Sequence, residues 1–346
     1  MSEQPSQTIL SGEINTATRS LHTTLNRLIT SRLPLALPPH ASDPSLYATG
    51  LLHFAHVFFT FESLWADLTQ APSDDPTSPL LSFLLVNPYD SPELFSTPPS
   101  AEMLQFLTTL RPKGLARSAR LKNDLGFLTA LHPTDLSVLL AQYPGEKVEE
   151  YCAHIRKAVR HKPHVLVAYA WCYYMAVFSG GRWIRAQLVA GGDDFWQRPT
   201  SDDNSAGGDE VAPLSERGLS LWYFDGPHDG ENIKSDFKDR LAAAEELFSP
   251  SERIDVIEEA KTIFALSASL VDELDAKAGT QLQNLPHEAH SKKQDTKHTF
   301  EAGSQKSSLK VTKASDLQTW LKRPEVTGAV VALGCLACVA ILRIVG

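Results

Sequence analysis

The stretch His164–Leu188 reads HVLVAYAWCYYMAVFSGGRWIRAQL, and its reading decides the fold. It is too long and too continuous in apolar character for a strand, and Pro163 stands where a helix's first turn accepts proline. It reads as one long buried helix broken in character only by Phe178-Ser179-Gly180-Gly181-Arg182. Each glycine inside a helix costs about 1 kcal/mol relative to alanine, so the pair invites a kink. Glycine also removes a side chain, so a flat ligand can approach the backbone there; close packing of a neighbouring helix would serve equally well.

Outward from this segment the chain repeats helical spacing. Residues 12–30 put Ile14, Ala17, Leu21, Leu25 and Leu28 on one stripe, and residues 45–69 carry Leu51, Phe54, Phe58, Phe61, Trp65 and Leu68 at steps of three and four. The pattern continues over 101–110, 114–131, 135–142, 147–161, 229–247 and 251–276. No sustained period-2 alternation and no hairpin turn between alternating runs is present, so the fold class is all-α. Gly, Asp and Ser dominate 192–217, which reads as a flexible loop, and the polar stretch 277–318 reads as a disordered tether; Met1 to Ile9 is a polar, disordered start. The run VTGAVVALGCLACVAIL, Val326 to Leu342, carries no charge. As a helix it would reach roughly 26 Å, close to a bilayer's hydrocarbon thickness, with Lys322, Arg323 and Arg343 at its ends. A single-pass tail anchor with a cytosolic domain is expected, on the endoplasmic reticulum or the mitochondrial outer membrane.

Charge narrows the function. The 346 residues carry a formal net charge of −9, which argues against a nucleic-acid partner. Four cysteines form no disulfide framework, and Cys335-x-x-Cys338 lies inside the apolar run, so zinc is not expected. No phosphate loop, dinucleotide fingerprint or serine elbow occurs. Several residues could carry chemistry. His22 lies beside the stripe of the first helix, where an imidazole could ligate iron or form an ordinary boundary hydrogen bond. Lys234 and Lys238 share a helix face that could hold paired carboxylates, although Asp236, Asp239 and Arg240 suit a solvated helix equally. His53 and His56 form a candidate metal pair or a core pair, with no acid within a turn. The basic run HIRKAVRHKPH, His154 to His164, could dock an acidic electron donor or complement its own helix dipole.

Taken together, the order of these features resembles the haem oxygenase family. LSGEINTATRSLHT (10–23) is similar to the family's first helix, whose iron-ligating histidine matches His22. RSARLKNDLGFL (117–128) is similar to the central helix, with Asp124, Leu125 and Phe127 in register. FSGGRWIRAQL resembles the distal helix, whose glycines over the haem face match Gly180 and Gly181. SERIDVIEEAKTIFALSASLVDEL (251–274) resembles the last core helix, with Phe264 at a pocket-lining position. Lys234 and Lys238 match the residues that hold the haem propionates.

The resemblance spans residues 10–276 and implies a haem oxygenase-like multi-helical domain that opens haem to biliverdin, releasing carbon monoxide and iron. Haem would be both substrate and cofactor, with electrons from a membrane-bound NADPH-dependent reductase. The sequence departs from the pattern at several points. Val177 stands at the family's distal aspartate and Ala176 at a distal glycine. Trp171 replaces a propionate-contacting tyrosine and Asn15 a propionate-contacting lysine, with Arg19 about one turn before His22 as a substitute cation. A haem-binding or sensing protein without turnover, and a tail-anchored helical adaptor that binds no haem, are the alternative readings.

Overall fold

In the computed structural model, residues 9–69, 99–196 and 213–279 are described, all within the compact unit Met1–Leu285. The expected anchor 326–342 and nearly all of the expected tether lie outside the described residues. No helix among the described residues is long and apolar enough to cross a membrane.

The described residues are all-helical. The longer helices are α1 (Leu10–Arg32), α2 (Ser45–Thr69), α3 (Ala101–Leu110), α4 (Ser118–Thr129), α5 (Pro133–Leu140) and α6 (Glu146–His161). After a 3-10 turn (Pro163–Val165) come the short α7 (Leu166–Tyr169), a π turn (Ala170–Tyr174) and α8 (Met175–Val189). Then follow α9 (Asp193–Trp196), α10 (Glu231–Ala243) and α11 (Pro250–Ala278).

Helix α2 forms the centre because it is apolar on nearly every side. Its Phe58 and Phe61 meet Tyr173 and Tyr174 from the π turn at centroid distances of 5.1–6.4 Å, and α4 and α6 pack against the same helix. Burying aromatic rings of this size supplies much of the core's hydrophobic stabilisation. The last helix, α11, lies along α1, and α11 also touches α6 and α7. Its start is fixed by a capping box: Ser249 Oγ accepts from the Glu252 amide at 3.3 Å, and the Ser249 amide donates to Glu252 Oε2 at 2.9 Å.

Two sequence expectations change. The segment after Pro163 is not one helix kinked at the glycines. The irregularity is the π turn Ala170–Tyr174, which ends six residues before Gly180, and α8 runs unbroken through Gly180 and Gly181. The expected loop 192–217 starts late: Asp193–Trp196 is helical, Phe195 and Trp196 are buried, and Trp196 Nε1 donates to the Leu188 carbonyl at 3.0 Å. Two large aromatics outweighed the polar composition around them. In the basic run 154–164, three groups pair with acids of α11. His154 meets Glu259 at 2.9 Å, Lys162 meets Asp255 at 2.6 Å, and His164 meets Asp255 at 3.1 Å. These pairs staple α11 to α6 and to the turn that follows it.

Candidate functional site

The site is built from three elements: α1, the π turn with α8, and α10. On α1, the inward residues Leu10, Ile14 and Thr18 are buried at four-residue spacing, which turns the face carrying Asn15, Arg19 and His22 outward. His22 packs one edge of its ring on Phe264 of α11, with centroids 5.7 Å apart and planes at 82°. The rest of the residue is exposed. Desolvation on the packed side lowers its pKa, which favours the neutral imidazole that can ligate iron.

Where the resemblance placed two carboxylate-binding groups, Asn15 and Trp171, the structure brings them to each other. Trp171 Nε1 donates to Asn15 Oδ1 at 2.9 Å, and the indole stacks on Phe237 of α10 at 6.3 Å. Neither residue is a cation, so this corner is a link between elements rather than a carboxylate clamp. It ties α1 to the π turn and both to α10, the helix that carries Lys234 and Lys238. Lys234 pairs with Glu231 at 3.4 Å, while Lys238 and Arg19 make no side-chain ion pair among the described residues. Arg19 is exposed, one turn beyond Asn15 and one turn short of His22.

On α8 the residues separate by face. Ala176, Ser179, Gly180 and Trp183 are exposed, whereas Val177, Phe178 and Gly181 are buried. The two glycines therefore do different work. A Cβ on Gly180 would meet nothing within 4 Å, so its face is open. A Cβ on Gly181 would stand 2.9 Å from Trp222 Cε3, so this glycine admits a packed indole instead. Of the two glycines expected to lie over a ligand, Gly180 is on the open face of α8 and Gly181 is packed against Trp222. Val177 is 4 % exposed and turned into the core, one residue away from the open face.

Sequence reasoning missed the polar lock that holds α8 in place. The loop 219–224 is anchored by Asp124, which accepts from the Ser220 and Leu221 amides at 2.9 and 2.7 Å. The fully buried Arg117 guanidinium donates to the carbonyls of Leu115, Gly114 and Tyr223, and lies over the Phe224 ring at 4.3 Å. Phe224 in turn stacks on Phe178 at 4.6 Å. Trp222, fitted against Gly181, donates to the Tyr47 hydroxyl at 2.9 Å. Arg185 grips Asp229 through two hydrogen bonds of 2.8 and 2.6 Å, joining α8 to the turn before α10. The signal available in the sequence was an arginine just before α4 and an aspartate seven residues later within it.

His53 and His56 are buried core residues. Burial brings an acid to them that the sequence spacing did not: His53 Nε2 lies 3.6 Å from Glu273 Oε2 of α11. Among the described residues no three His, Cys, Asp or Glu side chains converge to hold a bare metal ion.

Comparison with known proteins agrees with this architecture. Residues 102–273 match the haem oxygenase family model. That segment is of the haem oxygenase family. Heme oxygenase 1 of Pongo abelii is 26 % identical over 236 residues, covering 65 % of this chain and 72 % of that protein. A crystal structure of heme oxygenase 2 from Chlamydomonas reinhardtii without heme superposes with a TM-score of 0.52 at 18 % identity, covering 77 % of this chain and 98 % of that one. Heme oxygenase-1 of Synechocystis sp. PCC 6803 in complex with heme gives 0.52 at 14 % identity, covering 80 % and 99 %. At such identities the structural likeness is one of fold. The family match starts at residue 102, so α1, with His22, stands outside it.

Proposed function

We propose that this protein binds haem between α1 and α8 and opens the ring oxidatively to biliverdin, with His22 as the axial ligand. The observation that carries the reading is Gly180, a mid-helix glycine facing open space in a segment of the haem oxygenase family. The residues present fit the group. His22 offers a neutral imidazole on an open face, Phe264 supports its ring, and the lack of a Cβ at Gly180 lets a flat macrocycle approach the α8 backbone. Arg19 and Lys238, with Lys234 once released from Glu231, would meet the propionates, and their placement would select the ring edge presented. Trp171 and Asn15 act as a brace that sets the distance between the two walls. Haem supplies the oxygen chemistry, and the protein contributes binding, orientation and exclusion of water. A reductase that draws on NADPH and a membrane anchor at 326–342 belong to the same proposal.

Val177 favours a second reading, haem binding or sensing without turnover. The side chain is apolar, buried and unable to donate or accept a hydrogen bond. Hemin titration followed by a coupled assay with reductase, NADPH and oxygen separates the readings. A saturable Soret band that decays as biliverdin accumulates supports the oxygenase. A Soret band that persists, as a stable ferrous-oxy or slowly autoxidising complex, supports the binder. No saturable Soret shift removes both and leaves a helical adaptor. His22→Ala is expected to abolish the axial-histidine spectrum; an unchanged spectrum would reassign the ligand.

A further inference from the structure

Five tryptophans lie among the described residues, and the packing accounts for four of them. Trp65, Trp171 and Trp196 are buried, and Trp222 is half-buried against Gly181. Each of these indole N–H groups has an acceptor. Trp65 donates to the Leu107 carbonyl at 2.8 Å, Trp171 to Asn15 Oδ1 at 2.9 Å, Trp196 to the Leu188 carbonyl at 3.0 Å and Trp222 to the Tyr47 hydroxyl at 2.9 Å. Trp183 differs on each count. It is 37 % exposed, and among the described residues its N–H has no acceptor and its ring makes no aromatic or cation contact.

Its place on α8 gives that exposure a meaning. At about 100° per residue, Trp183 lies about 60° around the helix from Gly180 and about 20° from Ala176, so it stands on the open face. Long helical side chains lean toward the helix N-terminus, which from position 183 is the turn holding Ser179 and Gly180. Even so, no side-chain atom comes within 4 Å of where a Gly180 Cβ would stand. The open face therefore has a bare floor at Gly180 and an indole at its border. The residues beside Trp183 already hold α8 in place: Arg182 pairs with Glu231, Arg185 pairs with Asp229, and Ile184 packs on the core. Trp183 is not needed for that task.

We propose that Trp183 is a haem-contacting residue, its indole forming a lip of the cleft and lying against the macrocycle over Gly180. The inference rests on the haem reading given above and adds a residue to it. An exposed indole is covered favourably by another flat aromatic surface, in offset stacking or edge-on. Such contact matters more here because Asn15 and Trp171 are engaged with each other and present no cation to a carboxylate. Affinity for the ring then leans on apolar contact, which a bare glycine floor and an aromatic lip supply together.

The test uses the full-length protein with hemin and, as a diamagnetic analogue, zinc protoporphyrin IX. In Trp183→Ala, hemin affinity read from the Soret band should fall about fivefold, and Trp183→Phe should keep most of the wild-type affinity. Val189→Ala removes an exposed apolar side chain half a turn around the same helix from Gly180, and should leave the affinity unchanged. Thermal unfolding of ligand-free Trp183→Ala should match the wild type, because the indole packs on little. A second readout separates contact from a structural role. In heteronuclear NMR spectra the Trp183 indole N–H, assigned by its absence from Trp183→Phe, should move under the ring current of bound zinc protoporphyrin. Those of Trp65 and Trp196, sealed in the core, should move far less. Hemin affinity within twofold of the wild type in Trp183→Ala, or an indole N–H that bound zinc protoporphyrin leaves in place, would overturn the proposal while the haem reading stands. Absence of a saturable Soret shift in the wild type would overturn both.

Discussion

Replacing each of the two adjacent glycines by alanine should shift stability in opposite directions. In an α-helix, alanine is favoured over glycine by roughly 0.5–1 kcal/mol because the unfolded chain loses freedom. At Gly180 the new methyl meets nothing within 4 Å, so Gly180→Ala keeps the whole gain. For a domain of this size that corresponds to about 2 °C in Tm. At Gly181 the methyl would lie 2.9 Å from Cε3 and 3.3 Å from Cζ3 of Trp222. That indole cannot simply swing away, because its Nε1 is hydrogen-bonded to Tyr47. Overpacking of this kind costs about 1–3 kcal/mol, which exceeds the propensity gain, so Gly181→Ala should lower Tm by a few degrees. Scanning calorimetry of the ligand-free protein reads both signs. The same pair tests the slot: Gly180→Leu, whose side chain enters the open space, should weaken hemin binding at least tenfold while leaving the fold intact. Equal shifts of the same sign in the two alanine variants would show that the faces of α8 are misassigned. Hemin affinity untouched in Gly180→Leu would show that the ligand lies elsewhere.

Two other outcomes follow from buried polar groups. His56, desolvated and close to His53 and Arg156, has its pKa lowered from 6.5 to about 4. The folded state prefers the neutral ring, so this contribution is complete above pH 6.5 and is lost as pH falls from 6.5 towards 4. The linked loss is roughly 3 kcal/mol, and urea midpoints at pH 7.5 and 4.5 should converge in His56→Leu relative to the wild type; an equal acid sensitivity in the variant would refute the assignment. Glu62→Ala would leave the Arg117 amide, the Ser118 amide and the Tyr174 hydroxyl without their acceptor, and should cost at least about 3 kcal/mol in chemical denaturation. A loss below about 1 kcal/mol would mean that other acceptors replace the carboxylate.

The helices were legible because each buries one stripe, and a stripe at 3.6-residue spacing is written in consecutive residues. The start of α11 was legible for the same reason: Pro250 and Glu252 are local signals. What stayed hidden depends on partners distant in the chain. Nothing near Gly181 announces Trp222, 41 residues away, so the two glycines looked equivalent. Asn15 and Trp171 looked like two separate ligand contacts, because the hydrogen bond between them spans 156 positions. His53 seemed to lack an acid until α11 folded back and brought Glu273 beside it. The π turn escaped notice because AWCYY is as apolar as the residues on either side, and a change of helical pitch leaves no mark in composition.

That π turn governs which side of the following helix a residue occupies. A straight α-helix turns about 100° per residue, so one extra residue accommodated in a widened turn rotates everything downstream by about that angle. Removing one residue from Ala170–Tyr174 would act like turning a key: Ala176 and Gly180 would swing off the open face, and side chains now sealed in the core would take their place. A lineage carrying this domain could therefore change which residues α8 presents on its open face by a one-codon deletion, without altering any of those residues.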